Sequence, residues 1–253
     1  MPLLAADEPA AFSVARPDGL SPFVLTCDHA SRRIPASLAM LGLSQEALST
    51  HVAWDIGAAG VANKLSALLD APLVLQGYSR LVIDCNRPPG VPSSIPALSE
   101  KTTIAGNLNL TPSAIAERQH EIFDPYHAAI GTILGARPRG TKPTLIVAVH
   151  SFTPVYLDVA RPWHTGLMYR HDKRLGTALL GLLREDPLLC VGDNEPYAIT
   201  DTTDYTLPFH AEKGGLAHVG IEIRQDLIGR DAGQQEWAER LARLLTRAAD
   251  LLA

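Results

Sequence analysis

Apolar and polar positions alternate in blocks along this chain, and the blocks switch between two periods. FVLTC at 23–27 sets four apolar residues around one Thr and then stops at Asp28 and His29. A short apolar run with polar bounds reads as a buried strand. The same reading applies to PLVLQ (72–76), RLVID (80–84), TLIVAVH (144–150), TGLMYR (165–170), a short stretch at 188–191 and AHVGIEIRQ (217–225). Between them the spacing becomes helical. Residues 36–50 predict short helices with Ser44 as a cap, and Asp55 opens a stretch with Ile56, Val61, Leu65, Leu68 and Leu69 on helical spacing. Thr111-Pro112 starts a helix running towards Leu134, with Pro in the first turn. Further helices are expected at 173–184 and 232–252.

Strands alternating with helices predict an α/β fold: one domain over residues 1–253, with a mostly parallel or mixed central sheet covered by helices on both faces. Residues 1–20 read as an irregular N-terminal arm, and 87–110 and 192–215 as long polar loops. Loops of such length inside a domain are commonly functional.

Composition narrows the classes. The chain has 253 residues, 46% of them apolar, with 22 basic and 27 acidic side chains and a net charge of −5. No cluster of Lys and Arg offers a nucleic-acid surface, so nucleic acid is not an expected partner. An anionic ligand must instead be held by a few local Arg side chains. No apolar run reaches the ~18–20 residues of a membrane span. The opening MPLLAADEPAAF has early acids and no basic stretch, so no secretory leader is expected. Cys27, Cys85 and Cys190 are too few for a disulfide framework and lack C-x-x-C spacing, which suits reduced thiols in a cytoplasmic protein.

Chemistry-bearing residues gather at the ends of the apolar runs. His29 follows FVLTC, Asn86 and Arg87 follow RLVID and Cys85, His150 closes TLIVAV, and Glu222 and Arg224 lie in HVGIEIRQ. Parallel strands bring their carboxyl ends to one edge, where ligands bind in open α/β folds. Two His and a carboxylate make a zinc site with a position left open, a second carboxylate can move a proton, and Arg side chains can clamp a carboxylate or an oxyanion. Each residue also has a structural reading. A strand-end His can simply bond a loop, Asp55 suits a helix N-cap as well as a ligand, and Arg80 and Arg87 can pair with Asp84. Glu222, between Ile221 and Ile223, is harder to explain as structure, because an unpaired buried carboxylate is costly. The sequence holds no G-x-S-x-G elbow, no phosphate-binding glycine loop and no H-E-x-x-H. A Cys–His nucleophile built on Cys27 or Cys85 is disfavoured, since both lie inside strand patterns.

The motifs CDHASRRIP (27–35), WDIGA (54–58), SRLVIDCNRP (79–88), AVHSFTP (148–154) and GIEIRQD (220–226), in this order, resemble the N-formylglutamate amidohydrolase family. That family is similar in turn to the zinc carboxypeptidase and aspartoacylase group. The resemblance implies a zinc-carboxypeptidase-like fold and a divalent metal, zinc first, held by His29 and His150. It also implies Asn86 and Arg87 as substrate ligands, and Glu222 as general base. The group's carboxylate ligand stands three residues after its first His, where this chain has Arg32, so Asp55 is the expected replacement. Arg80 and Arg224 complete the expected substrate-binding set. The implied reaction is hydrolysis of a small anionic N-acyl amino acid, N-formyl-L-glutamate giving formate and glutamate, as in histidine breakdown. Other N-acyl amino acids or small peptides on the same scaffold, and a binding protein that has lost activity, are the alternatives. The roles of His127 and His210 and the oligomeric state stay open.

Overall fold

A seven-stranded mixed sheet forms the centre of the computed structural model, which describes residues 2–137 and 143–252; the first and last residues of the expected 1–253 domain fall outside that range. Its strands are β1 (Phe12–Ala15), β2 (Phe23–Cys27), β3 (Leu73–Gln76), β4 (Leu145–Phe152), β5 (Thr165–Met168), β6 (Val191–Asp193) and β7 (Ala217–Arg224). The spatial order is β1-β3-β2-β4-β7-β5-β6. The four central strands β3, β2, β4 and β7 run parallel, while β1 pairs antiparallel with β3 and β5 antiparallel with β7.

The strand period of two decides what each face holds. Leu25, Val147, Val149 and Ile221 project to one side and pack on Leu65, Leu179 and Leu241 of the helices α1 (Ala58–Leu69), α3 (Arg174–Leu183) and α4 (Asp231–Asp250). The other face is covered by α2 (Asp124–Ala136), through Tyr126 and Ile130, and by the chain at 78–85. These helices on both faces of a mixed sheet are the expected α/β layering.

Three differences from expectation have physical reasons. The N-terminal arm is not wholly irregular, because Phe12–Ala15 adds the edge strand β1. RLVID at 80–84 is not a strand: the segment is a series of turns, although Leu81, Val82 and Ile83 are buried. Its carbonyls find other partners than a sheet ladder. The buried Arg118 guanidinium donates to Val82 O at 3.0 Å, and Asn107 Nδ2 donates to Leu81 O at 2.8 Å. Backbone groups satisfied by side chains can be buried without joining a sheet. The helix expected from 112 to 134 is Pro112–Arg118 followed by a wider turn at Gln119–Phe123 and then α2. The change falls just before Pro125, which has no N–H to continue the ladder.

Candidate active site

On the face opposite the α1, α3 and α4 layer, the period-two alternation of three strands places polar residues side by side. In β4 the residues facing this way are Ile146, Ala148 and His150; in β7 they are His218, Gly220 and Glu222. The β4–β7 register pairs His150 with Glu222 directly, and the β5–β7 register pairs Glu222 with Gly166. Asp28 follows β2 on the same side, within 3.1 Å of His150 Nε2 through its Oδ2. His29 comes next in the chain and holds Asp55 by its backbone, Asp55 N donating to His29 O at 3.0 Å.

Asp55 is the hub. Its Oδ2 lies 2.9 Å from His150 Nδ1 and 3.3 Å from His29 Nδ1, and it accepts from Ser151 N at 3.3 Å. Its side chain caps no helix, since α1 begins after Gly57 with no side-chain cap at all. Gly57 is required there: its φ is +83°, and a Cβ would strike Ile228 O. This bend turns the chain from Asp55 into α1 and leaves the carboxylate free to point at the two imidazoles. The far nitrogens of both rings meet carboxylates as well, His29 Nε2 at 2.7 Å from Asp84 Oδ1 and His150 Nε2 beside Asp28. Arg80 borders the cluster, with Nη2 2.8 Å from Asp84 Oδ2 and Nη1 3.5 Å from Asp55 Oδ1.

His29, Asp55 and His150 are all buried and offer donor atoms within 4.8 Å of one another, so this group can hold a metal ion. The chemistry of the set fits one. A metal-binding imidazole typically gives its other N–H to a carboxylate, which fixes the ring. Asp84 takes that place for His29, and Asp28 lies 3.1 Å from the corresponding nitrogen of His150 without making the hydrogen bond. The charge balance agrees. Burial acts to lower the pKa of both imidazoles, as does the Arg80 charge at His29, yet the surrounding carboxylates outweigh them and raise both. Burial acts to raise Asp55 and Asp84, but the neighbouring imidazoles, with Arg80 beside Asp84, hold both below the usual carboxylate range. Asp28 falls to about 2 in the same way, against its burial, through His150. The cluster therefore favours positive charge at its centre.

Glu222 differs from these carboxylates. Burial pushes it up to about 7, with the charge of Asp55 adding to the rise. Its Oε2 is buried and has no hydrogen-bond partner. A carboxylate without a partner, beside the cluster and poised near neutrality, can accept and return a proton.

The remaining residues expected to bind substrate also bond other parts of the protein. Asn86 accepts from Tyr205 N and Thr206 N through Oδ1, and its Nδ2 donates to Asp204. Arg87 donates to Asn86 O and Thr203 O. Both therefore tie the 203–206 segment to the turn after Asp84, because RLVID ends in a turn and not at a strand edge. Arg224 faces Asp226 at 2.8 Å, not Glu222. His127 lies on α2, its Nδ1 3.0 Å from His210 Nε2 and its Nε2 donating to Cys85 O, outside the His29–Asp55–His150 group. Asp28 and Asp84 were not singled out by the sequence, although one adjoins His29 and the other lies four residues after Arg80. Arg161 and Tyr197 carried no motif signal.

Two imidazoles around one carboxylate, with a protonatable glutamate on the adjoining strand, equip an α/β sheet for hydrolysis. A family model described as N-formylglutamate amidohydrolase matches residues 21–229, and the chain belongs to that family. Its general class is accordingly amidohydrolase. A crystal structure of a gene product from Agrobacterium tumefaciens superposes with a TM-score of 0.95 at 38% identity, covering 99% of each chain. The crystal structure of N-formylglutamate amidohydrolase from Ralstonia eutropha JMP134 superposes with a TM-score of 0.68 at 21% identity, over 96% of this chain and 98% of that one, a likeness of fold. Comparison with curated proteins returned no match. No helix among the described residues is long and apolar enough to cross a membrane.

Proposed function

We propose that the chain hydrolyses the amide bond of a small anionic N-acyl amino acid, with N-formyl-L-glutamate as the first substrate to test. The observation that carries this is the pairing of Glu222, partnerless and near pKa 7, with His150 on the neighbouring strand beside His29 and Asp55. His29, Asp55 and His150 would hold a divalent cation, and two imidazoles with one carboxylate favour zinc. When bound, such an ion supplies a Lewis acid that acidifies water and polarises a carbonyl.

The protein groups do the rest. Asp84 holds the His29 ring by a hydrogen bond to its far nitrogen, and Asp28 faces the far nitrogen of His150 at 3.1 Å as a charge partner without a hydrogen bond. Glu222 takes the proton from the attacking water and returns it to the leaving nitrogen, a shuttle for which a pKa near the working pH is suited. Arg80 keeps N–H donors beyond those turned to Asp84 and Asp55, and these can meet the developing oxyanion. Cys27 and Cys85 are free and buried, in keeping with a reducing, cytoplasmic setting.

The test combines metal analysis of purified protein with formate release from N-formyl-L-glutamate and amine release from a panel of other N-acyl amino acids. The proposal expects a stoichiometric divalent metal and turnover that a chelator abolishes. Turnover of the panel with no preference for the formyl compound moves the substrate to another acyl group. No bound metal and no turnover on any member contradicts the hydrolase reading.

A further inference from the structure

The arginines near this cluster differ in what already neutralises them. Arg80 faces Asp84 and Asp55 and Arg224 faces Asp226, while Arg87 gives Nη1 to the carbonyls of Asn86 and Thr203 and is turned to the 203–206 segment. Arg161 is half-buried and has no carboxylate at ion-pair distance among the described residues. Its one side-chain hydrogen bond runs from Nη1 to Tyr197 Oη at 2.8 Å. Its guanidinium carbon lies 4.6 Å from the ring centre of Tyr156, 4.9 Å from Tyr197 and 5.9 Å from Phe152. Rings hold the faces of the cation, and its remaining N–H edge has no anion.

The position of that cation follows from the sheet. Phe152 is two residues beyond His150 on β4 and therefore shares its face. Gly166 is the register partner of Glu222, and the chain at Glu195–Pro196 crosses directly over it: a Cβ at Gly166 would lie 1.7 Å from Glu195 O. Tyr197 is the next residue, so its ring is delivered to the face that carries Glu222 and His150. The Tyr197 phenol is raised by burial and then by the charge of Glu222, while Arg161 and Arg80 act to lower it, which agrees with its lying among all three. The backbone of Arg161 is fixed on both sides, Arg161 N donating to Pro154 O at 2.8 Å and Arg224 Nη1 reaching Pro162 O at 3.4 Å.

We propose that Arg161, set by Tyr197 and its aromatic walls, recognises a carboxylate of the substrate and determines the preference for anionic N-acyl amino acids. This rests on the hydrolase reading above. A guanidinium with free edge donors can make two parallel bonds to a carboxylate, and partial burial strengthens them. The role differs from that of a staple for the small hairpin in which Val155–Tyr156 pairs antiparallel with Val159–Ala160, because a staple has no dependence on substrate charge.

The experiment compares the metal-loaded wild-type chain with Arg161→Gln and Arg161→Lys. The substrates are N-formyl-L-glutamate and N-formyl-isobutylamine, a formamide with no carboxylate. Arg161→Gln is expected to raise KM for the glutamate compound by roughly 10- to 100-fold, with kcat and Tm little changed, and to leave the uncharged formamide unaffected. Arg161→Lys recovers only part of the loss. An unchanged KM, or equal losses on both compounds, overturns the proposal. If the wild type cleaves no N-formyl amino acid, the hydrolase reading has failed, and Arg161 is judged by calorimetric titration with N-formyl-L-glutamate. Binding to wild type that is lost in Arg161→Gln upholds the anion site; equal binding, or none to wild type, overturns it.

Discussion

Replacing Gly166 by Ala perturbs the site without touching any group assigned to the chemistry. The added Cβ would sit 1.7 Å from Glu195 O, against a practical lower limit of 3.0 Å for such contacts, so the crossing chain must move by about 1.3 Å. No side chain can rotate out of the way, because the obstacle is backbone. The chain there is also anchored: Asn194 N donates to Leu167 O at 2.9 Å, and Tyr169 N donates to Asn194 Oδ1 at 3.0 Å. Overpacking of this kind costs about 1–3 kcal/mol, which for a chain of this size lowers Tm by roughly 2–12 °C. The functional loss should be larger. Tyr197 moves with the crossing chain and carries its bond to Arg161 with it, and a displacement near 1 Å at a substrate-positioning group costs about 10²-fold. Thermal melting together with kcat/KM on N-formyl-L-glutamate reads both effects. Unchanged Tm and unchanged kcat/KM would show that the 195–197 segment is not held against the site face, and would refute the reasoning.

Asp84→Asn keeps the shape beside His29 but weakens the 2.7 Å contact to Nε2, so metal affinity measured by chelator competition should fall by roughly 10–100-fold. Unchanged affinity would remove Asp84 from the support of the ring. His127 and His210 give a pH test away from the reaction. Burial depresses both to about 4 from 6.5, so the folded state resists protons that the unfolded chain accepts. Their contribution is full above pH 6.5 and is lost as the pH falls towards 4, about 3 kcal/mol for His127 alone. In His127→Gln the slope of unfolding free energy over that window should drop by about 1.4 kcal/mol per pH unit, the share of one proton, and an unaltered slope contradicts the assignment.

Much of this arrangement is legible in the sequence because the period of two fixes faces as well as strands. TLIVAVH and AHVGIEIRQ place His150 and Glu222 on one side once the strands are taken as parallel neighbours, and FVLTC delivers Asp28 and His29 to the same edge. Asp55 is legible only as one of two roles, and the left-handed bend at Gly57, where α1 starts without a side-chain cap, removes the helix-cap role. RLVID misleads because apolar content reports burial, and burial here is achieved by a turn whose carbonyls are satisfied by Arg118 and Asn107, far along the chain. Asn86 and Arg87 follow this turn instead of a strand end, and their side chains reach the 203–206 segment, which lies far along the chain. FSVA is only four residues long, sits at the sheet edge and has no fully buried residue, so it does not stand out from the arm. Arg161 and Tyr197 lie 36 residues apart, on loops joined by one side-chain bond, and no local pattern relates them.

The assignment of Glu222 as the proton-transfer group tests the account most directly, through kcat, metal content and Tm measured on one variant. Glu222→Gln keeps the shape and can still hydrogen-bond but cannot take a proton. The account predicts a folded protein with its metal and its Tm retained, and kcat lower by roughly 10²–10⁴-fold. Near-normal kcat would contradict it, as would loss of the metal or a fold weakened while turnover persists.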